Sequence, residues 1–97
     1  MSYKTEFPDY DGKLFIPEGF HDRSYHNDTC PCAAMEIGKV LIRIWQDYIE
    51  PNKREQEDSK RYLLQVEYNG KVLFNYFTDE LEIIKEMVGC LEVKGDE

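Results

Sequence analysis

The sequence predicts an α+β domain: a small antiparallel sheet of three to four strands with one C-terminal helix packed on one face. Three stretches carry that reading. Residues 39–49 alternate with period two and are rich in β-branched and aromatic side chains. Asn69-Gly70 stands between two alternating apolar runs, the strongest short-range hairpin signal in the chain. Leu81, Ile84, Val88 and Leu91 then recur at helical spacing.

The first twelve residues are polar and aromatic, with Pro8 and the turn signal Asp11-Gly12. They read as a frayed arm or as half of a small hairpin. Lys13-Leu14-Phe15-Ile16 reads as a short strand, stopped by Pro17 and Gly19. Residues 19–32, GFHDRSYHNDTCPC, have no periodicity and read as a loop, since Pro31 disfavours helical geometry at Cys30. In the strand over 39–49, Val40, Ile42, Ile44 and Tyr48 share one face, and Leu41, Arg43, Trp45, Asp47 and Ile49 the other.

Residues 50–60, EPNKREQEDSK, carry no apolar side chain except Pro51. They are expected to form an exposed charged loop, long enough to be mobile. In the hairpin, Tyr68 is expected opposite Lys71, Val66 opposite Leu73, Leu64 opposite Asn75 and Tyr62 opposite Phe77. That register collects Tyr62, Leu64, Val66, Tyr68, Leu73 and Phe77 on the buried face. The helix starts at Thr78 or Asp79, either of which can cap it, and Asp79 with Glu82 has capping-box spacing. Gly89 ends the helix or lies within it, and 93–97 reads as a polar tail that frays. A division at the 50–60 loop leaves neither half with enough apolar residues for a core, so 1–97 reads as a single domain.

Composition narrows the function classes. Twenty acidic against twelve basic residues give a net charge of −8. Binding to a phosphate backbone runs on lysine and arginine, so direct nucleic-acid binding is not expected. The N-terminus lacks the apolar core of a signal peptide, and the longest aliphatic run, Val40-Leu41-Ile42, is far short of a membrane span. Three cysteines, an odd number, fit reduced thiols in the cytoplasm.

The loop at 19–32 holds both histidines and two of the three cysteines, and so most of the residue types that do chemistry. Three readings compete for it. His21, His26, Cys30 and Cys32 form H-x4-H-x3-C-x-C, a donor set acceptable to zinc, although the spacing is unlike the usual paired Cys-x2-Cys. Cys30 or Cys32 is alternatively a nucleophile, with His26 or His21 as base and Asp22 or Asp28 as orienting group. The third reading needs no reaction. Asp22, Ser24, Asn27, Asp28 and Thr29 are side chains that fold back onto nearby backbone N–H groups, while Phe20 and Tyr25 anchor the loop.

The third reading is preferred, with His21, Asp22, Ser24, Tyr25, His26, Asn27 and Asp28 as a recognition surface and no catalytic residue. The expectation is a small acidic cytoplasmic interaction or regulatory module without catalytic activity, bound to an unidentified protein partner. A metal-binding or thiol-dependent enzyme centred on 21–32 is one alternative. An acidic inhibitor that mimics nucleic acid for a basic partner is another. An exposed sheet edge also allows a homodimer.

Overall fold

The computed structural model describes residues 2–95, and within it the sheet has five strands rather than the three or four expected. They are β1 (His21–Asp22), β2 (Cys32–Ile37), β3 (Val40–Gln46), β4 (Tyr62–Tyr68) and β5 (Lys71–Thr78). The order is β1-β2-β3-β4-β5 and every neighbouring pair is antiparallel. One helical turn, α1 (Tyr3–Glu6), precedes the sheet, and α2 (Leu81–Gly95) follows it. The architecture is α+β, as the periodic segments require. None of the described helices is long and apolar enough to cross a membrane.

Two strands come from a stretch that carries no strand signal. In β2, Cys32, Ala33 and Ala34 are all buried. A strand covered on both faces loses the alternation by which half-buried strands are recognised. Its partner β1 is only two residues long, His21 against Ala34 and Asp22 against Ala33. Conversely, the apolar run 13–16 forms no strand. The backbone of Phe15 is paired by a side chain instead: its N–H donates to Gln46 Oε1 at 2.8 Å and its carbonyl accepts from Gln46 Nε2 at 2.7 Å.

The β4–β5 turn is built as expected, with Asn69 (φ 52°) and Gly70 (φ 84°) both in the left-handed region. Tyr68 faces Lys71 and Glu67 faces Val72. A β-bulge follows. Val66 faces Phe74 rather than Leu73, so the rest of the expected register moves by one: Leu64 faces Tyr76 and Tyr62 faces Thr78. Because side chains alternate, a one-residue slip exchanges the faces. Leu73 and Phe77, expected in the core, are 66% and 58% exposed.

One face of the sheet carries the core. Ala33, Ile42, Ile44, Tyr62 and Leu64 pack with Phe20 and with Ile84 and Val88 of α2. Phe15, Val66, Tyr76, Leu81 and Met87 surround that cluster. α2 continues through Gly89 and takes in part of the tail expected to fray, while Asp96 and Glu97 lie outside the described residues. Of its two cap candidates, Thr78 Oγ1 accepts the Glu80 N–H at 3.1 Å. Asp79 turns away to the Arg61 N–H at 2.9 Å and to Lys60 at 3.4 Å.

The N-terminal segment is docked onto the domain rather than frayed. Phe7 is buried, Asp9 accepts the Tyr48 hydroxyl proton at 2.9 Å, and the Asp11 carboxylate accepts the N–H groups of Ile49 and Glu50. These contacts hold down the entry to the 50–60 loop, which opens with a 3-10 turn at Pro51–Lys53. That loop is largely exposed but not free. Arg54 donates to the carbonyls of Tyr48, Ile49 and Ser59, closing the loop across its own base.

Candidate recognition site

Asp22 is the hinge of the 19–32 loop. One carboxylate oxygen accepts the Ser24 N–H at 3.0 Å in an Asx turn, and the other accepts the Tyr3 N–H at 2.7 Å. Buried Ser24 in turn accepts the Cys32 N–H at 3.1 Å, and Arg23 N–H donates to the Cys32 carbonyl at 2.8 Å. A turn closes between Tyr25 and Asp28, and Asn27 donates to the Tyr25 hydroxyl at 3.1 Å. Of the five side chains expected to fold back onto the loop's backbone, Asp22 and Ser24 do so, while Asn27 binds a side chain instead.

The structure does not bring the four candidate metal ligands together. His21 is exposed on β1 and His26 is held 2.9 Å from Glu6 Oε1 by its Nδ1. Cys30 and Cys32 are buried at the end of the loop. Among the described residues, no three His, Cys, Asp or Glu side chains are placed to hold one metal ion. Hydrogen bonds from His26 also hold the Glu6 carboxyl below the usual carboxylate range.

Neither thiol is prepared for attack. Burial, reinforced by the Asp47 carboxylate, pushes Cys30 up to about 12. Burial likewise pushes Cys32 up to about 12, with Arg43 acting in the opposite direction. A nucleophilic cysteine needs the reverse, a thiol lowered toward neutrality beside a base. Native protein treated with an alkylating reagent at pH 7.5 should therefore label exposed Cys90 first. Cys30 and Cys32 should react at least about a hundredfold more slowly until denaturant is added. Peptide mapping after a short pulse checks this, and early label on Cys30 would restore the nucleophile reading.

The face of the sheet away from α2 holds a cleft of about 400 Å³. Its floor and walls come from one cross-strand row, Trp45 facing Leu63 and Leu63 facing Phe77. With strands about 4.8 Å apart, Trp45 and Phe77 stand about 10 Å from each other across Leu63. Residues 27–30 form one rim and Ser59–Arg61 the other. A second cleft of about 220 Å³ shares Asp28 and Trp45 and continues along the sheet over Cys32, Ala34, Leu41 and Arg43.

The surroundings hold these walls in place. Trp45 Nε1 donates to Gln65 Oε1 at 3.3 Å and carries the Arg43 guanidinium 5.5 Å above its ring. Arg43 also reaches Glu67 at 3.7 Å. On the far rim Arg61 donates to the Asp47 carbonyl and the Tyr10 hydroxyl. Burial raises the half-buried Asp47 carboxyl above its ordinary value, opposed by the N–H of Tyr48. Of the residues expected to form a recognition surface, Asn27 and Asp28 line the cleft; Asp22 and Ser24 support the loop. The Tyr25 and His26 rings lie 4.6 Å apart, tilted at 46°, outside it.

Nine of the twenty acidic residues are engaged within the fold. Asp9, Asp11, Asp22, Asp47 and Asp79 each bind a backbone N–H or a hydroxyl, and Glu6, Glu36, Glu67 and Glu82 each pair with a basic side chain or His26. Compared with protein-family models, with curated proteins and with solved structures, the chain matches none. The class defined here is thus a five-stranded α+β domain with a built, aromatic-walled cleft on the sheet face that α2 leaves open.

Proposed function

We propose that the protein is a small acidic interaction or regulatory module, cytoplasmic and without catalytic activity, that takes an apolar side chain of a protein partner into the Trp45–Phe77 cleft. The observation that carries this reading is the cleft itself: an apolar row on the sheet face away from α2, framed by two loops fixed by internal hydrogen bonds. Interfaces concentrate their energy in such pockets, with aromatic anchors surrounded by a polar rim. The raised thiols and the engagement of His26 with Glu6 support the absence of catalysis. Three free thiols suit a reducing compartment.

Capture from the native host with three baits tests the reading. Wild type and Ile37→Ser, a change at an exposed apolar residue outside the cleft, should retain the same partner. Phe77→Asp should lose it, with binding weakened about thirtyfold or more, as expected when a charge enters an apolar anchor pocket. Titrating the purified partner should also shift the emission of Trp45, the chain's only tryptophan. Retention by Phe77→Asp, or hydrolysis of an acyl or phosphate ester abolished by Cys30→Ala, would overturn the proposal.

A further inference from the structure

The two edges of the sheet differ sharply. β1 has two residues, and the N-terminal segment is bonded against it through Tyr3 to Asp22, with Glu6 to His26 beside it. β5 has eight residues and, among the described residues, no strand on its outer side. Along it Val72, Leu73, Phe74 and Phe77 are 48%, 66%, 43% and 58% exposed. Edge strands of monomers are normally protected by charge, proline, shortness or a covering segment. β5 has no proline, a single charge at Lys71, and a bulge only near its first end.

We infer that β5 pairs with β5 of a second copy, antiparallel about a two-fold axis, to form a continuous ten-stranded sheet. The shape of the sheet selects the occupant. Growth from β5 of one molecule onto β1 of the next is blocked, because β1 is too short and flanked by the N-terminal segment. Edge-to-edge pairing of like with like remains, and it closes on itself instead of extending into a fibre. Charge selects the orientation. Lys71 opens the strand, and Asp79 and Glu80 follow its last residue, Thr78. An antiparallel pair sets Lys71 of each copy beside Glu80 of the other, the Asp79 carboxylate being held inward by the Arg61 N–H and Lys60; a parallel pair would set like charge against like. The arrangement leaves both clefts on the same side of the joined sheet. It does not depend on what those clefts bind.

Sedimentation equilibrium of the full chain over a range up to about 1 mM tests the inference. A monomer–dimer equilibrium is expected. Lys71→Glu and Glu80→Lys should each weaken it about tenfold, since each converts two symmetry-related attractions into repulsions. The double variant, which restores opposite charges, should return the constant to within about threefold of wild type. If net charge alone governed association, Glu80→Lys would tighten it by lowering the charge of −8. Both positions are exposed, and circular dichroism verifies that the variants keep their fold. A monomer at every concentration, a tighter Glu80→Lys dimer, open-ended oligomers, or a dimer indifferent to both changes would each overturn the inference.

Discussion

Replacing Gln46 by leucine should remove about 3–4 kcal/mol of stability, a large share of the 5–15 kcal/mol typical of a domain. Gln46 is fully buried at the end of β3. Its amide is matched to both backbone groups of Phe15, accepting from the N–H and donating to the carbonyl. Leucine preserves most of the volume and none of the bonds. Two partly buried backbone groups then lose their partners, at about 1–3 kcal/mol each. Phe15 packs against the core cluster and lies 5.6 Å from the Lys85 ammonium of α2, so its release loosens the cover over that face. Urea denaturation measures the loss, and a change below about 1 kcal/mol would show that the amide pairing is dispensable.

Gln46→Glu sharpens the test. A protonated glutamic acid keeps one acceptor and one donor, while the ionised form cannot donate to the Phe15 carbonyl. The folded state therefore favours the proton and raises this carboxyl above the roughly 4.3 of an unfolded chain. Stability is fully present below that value and falls as pH rises through the higher folded-state value. The Glu variant should lie closer to wild type at pH 4 than at pH 7, whereas the Leu deficit should not change.

The same residue shows where sequence reasoning reaches its limit. The run Lys13–Ile16 has strand composition, but what its backbone pairs with is a side chain thirty-one residues away, which no local pattern encodes. β3, the Asn69-Gly70 turn and α2 are legible because each advertises itself within a few residues, by alternation, by left-handed turn geometry or by helical spacing. β2 is hidden for the opposite reason. Its small side chains are covered on both sides and so leave no contrast between faces.

The candidate site divides in the same way. The Asx turn at Asp22 and the seat of Ser24 follow from residue types close in sequence. The cleft does not. It needs the bulge at Leu73, which turns Phe77 from the core face to the open one, and the Arg54 clasp, which closes the loop that ends at its far rim. A bulge adds one residue to one strand without a sequence mark as strong as Asn-Gly. The register beyond the turn was therefore the part of the hairpin least specified by composition.

Raising the pH from 9 toward 12 should destabilise wild type much more steeply than a Cys30→Ala/Cys32→Val variant. Both thiols rise from an ordinary 9.0 to about 12 on folding, chiefly through burial. The unfolded chain releases its thiol protons first. Their contribution is thus fully present below about pH 9 and is lost progressively as pH rises toward 12. At pH 10.5 the loss is about 2 kcal/mol for each thiol, or about 4 kcal/mol together. Tyr10 and Tyr48 are also raised by burial and add to the alkaline slope of both proteins, so the difference between the two curves isolates the sulfurs. The variant should be weaker at pH 8, where it has lost packing only, and the two urea midpoints should converge or cross by pH 10.5. Parallel curves would mean that the thiols ionise within the folded protein. Cys30 and Cys32 would then be accessible to base, and the case for an inert, buried pair would fail with them.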